Sequence, residues 1–402
     1  MVKLLKMNDV DDVSKNSSSS AQIVASIDDL LIQIIKRLPF KKLVQLKLVS
    51  KYWNSLLLDP NRCLLRNRPV VGFIFGCHNI GQYGTSWHTI FLDKSISKTI
   101  QNMPPPTNDY SLYPDYKILH SCNGLLVLYN MSLKKGNQKC YIYNPTTRKH
   151  IQLPLPKAAE YHSIIGMYLA FDPSKSPHYR VVCVLKIIFD LSWLEIYSPE
   201  TGLWRDGGVL FEENKYFDCT DGVYWNGAIH WVKLGTEPRE FVYLNPYCDQ
   251  TPKVFPSPPL RDGSYYKRND YSFGESCDHL HFVDAYRTLD KFIVYEMKRD
   301  YSEWFVRYNV DLPEMKMDYS GDSQWMYEHL CRYSDRRYIV VRGKNDDDSF
   351  LVIANNKRIV RYNFEQKTCE TLCDFDSTKR DHSLLFSCLR HPFQYIESNC
   401  SV

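Results

Sequence analysis

Residues 140–154 read CYIYNPTTRKHIQLP: an aromatic and β-branched run, the polar turn Asn144-Pro145-Thr146-Thr147, then a second short apolar run. Proline sets φ for the second turn position and asparagine bonds to the backbone just after it, so the stretch predicts two strands joined by a tight turn. The texture returns in LEIYSPETGLWRDGG (194–208), FVYLNPYCDQTPKVFPSP (241–258), FIVYEMKRDYSEWFVRYNV (292–310) and IVRYNFEQKTCETLCDF (359–375). Counted from Tyr143, the equivalent positions are Tyr197, Leu244, Tyr295 and Tyr362, in steps of 54, 47, 51 and 67 residues.

A period near ~50 residues fits a four-stranded propeller blade of kelch type, with room for a loop insertion in the last step. One sheet cannot cover both its faces, whereas blades arranged in a ring can. The expectation is therefore a mostly β chain carrying a kelch-like β-propeller of about six blades, with 70–100 supplying either one more blade or part of the closing one. An open β-sandwich with similar turns is the other reading. Aromatic residues make up 14% of the chain and suit half-buried pleated surfaces.

Upstream the pattern changes. Residues 1–25 are polar and include Ser17–Ser20; they bury too little to offset their ordering entropy and are expected to be disordered. In residues 26–60, SIDDLLIQIIKRLPFKKLVQLKLVSKYWNSLLLDP, Ser26 and Asp29 form a capping-box pattern, and Asp28 and Asp29 complement the helix dipole. Leu30, Leu31, Ile34, Ile35 and Leu38 form an apolar stripe that Pro39 ends. Further apolar sets follow at Leu43, Leu46 and Val49, then at Trp53, Leu56 and Leu57. Three such short helices bury too little to stand alone, so their apolar faces pack either on the β domain or on a partner chain.

This segment resembles an F-box, the module that docks the Skp-family adaptor of cullin-based ubiquitin ligases. The resemblance rests on DDLLIQIIKRLP, Leu43, and LVSKYW with Val49, Lys51 and Trp53. Where the family has Leu-Pro ahead of the acidic pair, this chain has Ser26-Ile27. The remainder resembles the F-box-associated domain of large plant F-box families, through HSCNGLLVLYN (120–130), YIYNPTTRKHIQLP (141–154), YLAFDP (168–173), YRVVCVLK (179–186), EIYSPETGLWR (195–205) and VYWNGAIHWV (223–232), in the family's order.

The implied organisation is a disordered 1–25, an F-box of three helices over 26–65, a propeller-like domain over 70–385 and a tail at 386–402. The implied role is substrate recognition without catalysis. Adaptor contacts would come from Leu30, Ile34, Ile35, Leu38, Pro39, Leu43, Leu46, Val49, Lys51 and Trp53, with Trp53 either an anchor or a core pin. Through the adaptor come the cullin and RING subunits. Substrate contacts are expected from Tyr110 and Tyr113 in NMPPPTNDYSLYPDY (102–116), Tyr265 and Tyr266 in RDGSYYKRNDYS (261–272), and Trp325 in MDYSGDSQWMY (317–327).

Other chemistry is poorly represented. No phosphate-binding, zinc-protease, nucleophile-elbow or dinucleotide motif occurs. Cys369 and Cys373 are expected to be packed thiols, like most of the 13 cysteines. His279 and His281 share one strand face without an evident third metal ligand, so no metal or cofactor is expected. Asp346–Asp348 lie between strand-like runs and look like a hairpin tip. A net charge of +4 gives no electrostatic argument for nucleic acid or a membrane surface. Without an N-terminal apolar stretch, the expected location is cytoplasm or nucleus. The competing classes are a free-standing propeller binding proteins or glycans, and a propeller enzyme.

Overall fold

A computed structural model describes residues 27–37, 46, 51–58, 70–78, 85–92, 100–102, 116–130, 138–187, 191–211, 222–233, 240–259, 271–285, 291–312, 337–343, 346–354, 358–374, 390–398, 400 and 402. The chain divides into two compact units, 1–65 and 66–402.

In the first unit, α1 (Asp28–Arg37) and α2 (Lys51–Leu58) are described. Leu31 and Ile35, one turn apart on α1, are buried together, and Ile32, Leu46 and Trp53 pack against them.

The second unit is a six-bladed propeller of four-stranded antiparallel sheets. Blade 1 combines β1 (Gly72–His78), β2 (Thr85–Phe91) and β3 (Ile100–Asn102) with β24 (Arg390–Tyr395). Blade 2 is β4 (Tyr116–Cys122), β5 (Leu125–Asn130), β6 (Lys139–Asn144) and β7 (Lys149–Leu153); blade 3 is β8 (Ser163–Ala170), β9 (Arg180–Lys186), β10 (Ser192–Ser198) and β11 (Leu203–Phe211). Blade 4 is β12 (Val223–Trp225), β13 (Ala228–Lys233), β14 (Glu240–Leu244) and β15 (Lys253–Phe255). Blade 5 is β16 (Tyr271–Ser276), β17 (His279–Ala285), β18 (Lys291–Met297) and β19 (Trp304–Asp311); blade 6 is β20 (Arg337–Val341), β21 (Phe350–Ala354), β22 (Arg358–Asn363) and β23 (Cys369–Asp374). The five repeat positions Tyr143, Tyr197, Leu244, Tyr295 and Tyr362 all fall in the third strand of successive blades. Residues 72–102 supply three strands of the remaining blade.

Six buried apolar clusters hold the ring, one at each blade–blade boundary. Period-two geometry divides each sheet between two of them. On β5, Leu125, Val127 and Tyr129 face blade 3, while Leu126 and Leu128 face blade 1. Second strands are therefore buried on both faces and read as continuous apolar runs, whereas β7, at the rim, is mostly exposed.

Two kinds of turn punctuate the blades. Asn123-Gly124, Asn226-Gly227 and Cys277-Asp278 join first to second strands with two residues at positive φ, the geometry that matches strand twist in a two-residue hairpin. After third strands, Asn144 Oδ1 accepts from Thr146 and Thr147 N–H, Asn245 Oδ1 from Tyr247 N–H, and Asn363 Oδ1 from Gln366 N–H.

Two expectations change and a third is met. The segment read as a tail contains β24, which pairs with β1 and closes the ring; a bulge opposite Ile74–Gly76 accommodates Pro392, which has no N–H to donate. The following residues continue onto blade 2, where Ser398 and Cys400 carbonyls accept from Asn144 Nδ2. Cys369 is exposed on β23 and Cys373 only partly buried, because β23 is an outermost strand; Cys122, Cys140 and Cys183 are the buried thiols among those described, and Cys248 is exposed. Asp346–Asp348 form a 3₁₀ turn between β20 and β21, as a hairpin tip requires, with Asp346 Oδ1 2.9 Å from Arg342 Nη1.

Candidate functional site

On α1 the apolar stripe splits in two. Leu30 and Ile34 point outward, 43% and 44% exposed, joined by Ile27 and, on α2, by exposed Tyr52. Ile27, Leu30 and Ile34 follow i, i+3, i+7 spacing and so share one helix face. Ile35, expected at the adaptor surface, is fully buried in the unit's own core. Leu46 and Trp53 are partly buried against that core, which makes Trp53 a core pin in this unit; Lys51 is exposed. Leu38, Pro39, Leu43 and Val49 lie outside the described residues. Ile27 and Tyr52 were missed: Ile27 stands where the resemblance led to a Leu-Pro expectation, and Tyr52 belongs to no apolar repeat.

Tyr110, Tyr113, Tyr265, Tyr266 and Trp325 also lie outside the described residues. Their chain positions are still informative. Each belongs to a connection from a fourth strand to the next blade's first strand: β3 to β4, β15 to β16 and β19 to β20. Because strands alternate in direction within every blade, the described ends of β3, β15 and β19 lie on one face of the propeller, opposite the tight asparagine turns.

The first strands surround a central channel with a cavity of about 170 Å³. Two side chains span it as chords. The His120 ring accepts Leu169 N–H at Nδ1 (3.1 Å) and therefore donates from Nε2 to Gly222 O (3.0 Å), linking blades 2, 3 and 4. Burial lowers its pKa to about 4, against the opposing pull of the Gly222 carbonyl, so the ring is neutral. Gln394 of blade 1 donates to Glu275 O in blade 5 at 2.6 Å and accepts from Ser121 Oγ at its own carbonyl.

Blade 5 places charged groups beside this channel. Glu275 lines it, and burial raises its pKa to about 7. One strand pair away, Glu296 lies 2.9 Å from His279 Nδ1 and 3.3 Å from His281 Nε2. Burial works against ionised Glu296, but the two imidazoles outweigh it and hold the carboxyl well below the usual range. His281 is itself kept neutral by burial, which outweighs Glu296's pull. Glu296 meets both histidines as an acceptor and not as a metal ligand, a contact found only through register, His281 pairing with Glu296 across β17 and β18. Among the described residues no three such side chains are arranged to hold a metal ion, and no helix is long and apolar enough to cross a membrane.

Residues 28–65 match the F-box domain family, and residues 73–330 match the family described as F-box protein At3g26010-like, beta-propeller. The Arabidopsis thaliana F-box protein At5g07610 is 32% identical over 96% of this chain and 94% of its own length. F-box protein At5g18160 of the same plant is 27% identical over 54% of this chain and 53% of that one. Among solved structures, a chain of a nidogen/laminin complex is similar with TM-score 0.40 at 7% identity, covering 75% of this chain and 92% of that chain. The SapL1 lectin is similar with TM-score 0.40 at 11% identity, covering 76% and 97%.

Proposed function

Since this chain belongs to the F-box proteins with an At3g26010-like β-propeller, we propose that it is the substrate-recognition subunit of an SCF-type ubiquitin ligase, docking a Skp-family adaptor through α1 and α2 and a protein substrate through the propeller. The observation that carries this is the divided stripe of α1. Leu31 and Ile35 satisfy the unit's own core, leaving Leu30 and Ile34 as an apolar face exposed to solvent. In a helical unit this small, such a face costs solubility unless a partner covers it.

The chain then supplies binding and no chemical step. The adaptor brings the cullin and RING subunits, and the tethered substrate lysine meets the charged conjugating enzyme at high effective concentration. Substrate would be held on the face from which the 102–116, 261–272 and 317–327 connections leave, with Tyr110, Tyr113, Tyr265, Tyr266 and Trp325 as contacts, because connections on a rigid scaffold carry most recognition.

The test is co-purification of the full chain with a Skp-family adaptor, beside Leu30→Ala/Ile34→Ala. A one-to-one complex that weakens by at least about tenfold in the double variant supports the reading, since truncating interface anchors costs ~1–2 kcal/mol each. A folded chain that binds no adaptor overturns it and leaves a free-standing binding propeller.

A further inference from the structure

We propose that the outer edge of blade 2 is an interaction surface, taking an acidic, extended segment of a partner protein as an added strand along β7. The surface lies on the rim of the propeller, apart from the connections assigned to substrate above, and does not depend on adaptor docking.

The first observation is the state of the outer edges. An edge strand presents unpaired N–H and C=O groups, and folded proteins blunt such edges with bulges, short strands or charge. Three of the outer strands are bulged. β11 carries the extra residues Gly207 and Leu210, β19 carries Arg307 and β23 carries Leu372. Two others, β3 and β15, are three residues long. Among the described residues β7 alone is a longer outer strand that pairs without a bulge, from Asn144↔Lys149 to Cys140↔Leu153. Its residues Lys149, His150, Ile151 and Gln152 are all exposed, so the neighbouring blade does not cover this edge. Blade 3 meets the chain just past it, where Trp204 Nε1 donates to Pro154 O at 2.9 Å.

The second observation is which residues the edge offers. Arg148, at the turn, and Lys149 are exposed, and neither has an acidic partner among the described residues. Strand alternation places Lys149 and Ile151 on the same face as Leu153, which is buried against blade 3. Ile151 is 44% exposed on that face. His150 and Gln152 point to the other face, where the His150 ring meets Tyr141 edge-on at 5.7 Å.

These features choose the occupant. A second copy of the chain pairing edge to edge would set basic residues against basic residues, which opposes the ladder. An acidic strand is favoured for the same reason. Main-chain hydrogen bonds supply affinity in such an addition and alternate side chains supply specificity. Opposite Lys149 the partner needs Glu or Asp, and two residues away, opposite Ile151, it needs an aliphatic side chain. A further acidic residue next to the first faces Arg148.

The test is fluorescence anisotropy of labelled peptides on the full chain. The probes are Glu-Glu-Thr-Ile-Thr-Val and the reverse order Val-Thr-Ile-Thr-Glu-Glu, which cover parallel and antiparallel addition. At least one should bind, and replacing both Glu by Gln should weaken it about fivefold at low salt, two exposed cross-strand charge pairs being worth that much. N-methylation of alternate residues, made in both phases, reads the ladder: one phase blocks the N–H groups that face β7 and should lose at least about tenfold, while the other blocks only outward groups and should lose little. Arg148→Glu/Lys149→Glu changes exposed side chains, so its urea midpoint should stay close to that of the parent. It should lose the acidic peptide and gain the counterpart with Lys-Lys in place of Glu-Glu. No binding up to about 1 mM, equal binding of the Glu and Gln peptides, or no exchange of preference in the double variant overturns the proposal. Equal losses in the two methylated phases leave plain charge attraction and also overturn it, as does self-association of the chain that the double variant abolishes.

Discussion

Replacing Asn144 by alanine should release the C-terminal segment from blade 2, and the cost can be worked from the geometry. The Asn144 side chain is fully buried and uses its whole hydrogen-bonding capacity. Nδ2 donates to Ser398 O (3.1 Å) and Cys400 O (2.9 Å), and Oδ1 accepts from Thr146 N–H (2.9 Å) and Thr147 N–H (3.1 Å). At about 1 kcal/mol net per bond, Asn144→Ala should cost about 3–4 kcal/mol, half from the turn and half from the segment. In a chain ending at Tyr395 only the turn half remains, so the same substitution should cost about 2 kcal/mol. Asn144→Asp separates the halves differently. It keeps the acceptors for the turn but aims an oxygen at two carbonyls, so it should free the segment alone. The measurement is urea denaturation of the five chains (the full and shortened parents, Asn144→Ala in each, and full-length Asn144→Asp), with hydrogen exchange at the Ser398 and Cys400 amides. An alanine cost below about 0.5 kcal/mol, or an equal cost in the long and shortened chains, refutes the idea that Asn144 is the anchor.

Two further outcomes follow from groups buried in the blades. A Cβ on Gly222 would lie 2.1 Å from Tyr168 Cε1 and 2.8 Å from Trp231 Nε1, so Gly222→Ala should lower stability by about 1–3 kcal/mol in urea unfolding and disturb the His120 chord that ends on its carbonyl. Stability should also fall in mild acid: burial holds His120 at about 4 and His230 at about 3 in the folded chain, so below the unfolded value of about 6.5 the unfolded chain binds the extra protons. Between pH 7.5 and pH 5 each ring should remove about 2 kcal/mol, and His120→Gln should erase its share of that slope; an unchanged slope contradicts the burial argument.

The blades were readable because each repeat carries its own local cause. Asn144, Asn245 and Asn363 bond to the backbone two or three residues on, which fixes the turn wherever the residue appears. A second signal of the same kind went unused. Asn123-Gly124 and Asn226-Gly227 between apolar runs mark the first hairpin of blades 2 and 4, and they could have set strand order within a blade from sequence alone. Ring closure had no local cause to read. The strand Arg390–Tyr395 contains Pro392 and only two ring-bearing apolar residues, and its partner β1 begins at Gly72.

The sites follow the same division between local and distant causes. Periodicity marked the α1 stripe as apolar, but a stripe five residues wide spans more than one face, and nothing local says which edge the unit keeps for itself. Trp53 and Leu46 decide that by covering Leu31 and Ile35, which leaves Ile27, Leu30 and Ile34 outside. The channel is further removed still. His120 reaches Gly222, Gln394 reaches Glu275, and Glu296 meets His281 only through the register of two strands. Each pairing depends on a position fixed by the closed ring. A polar residue inside a mainly apolar run, such as His120 in β4, is therefore the most that sequence can offer there: it marks where a strand faces something other than core.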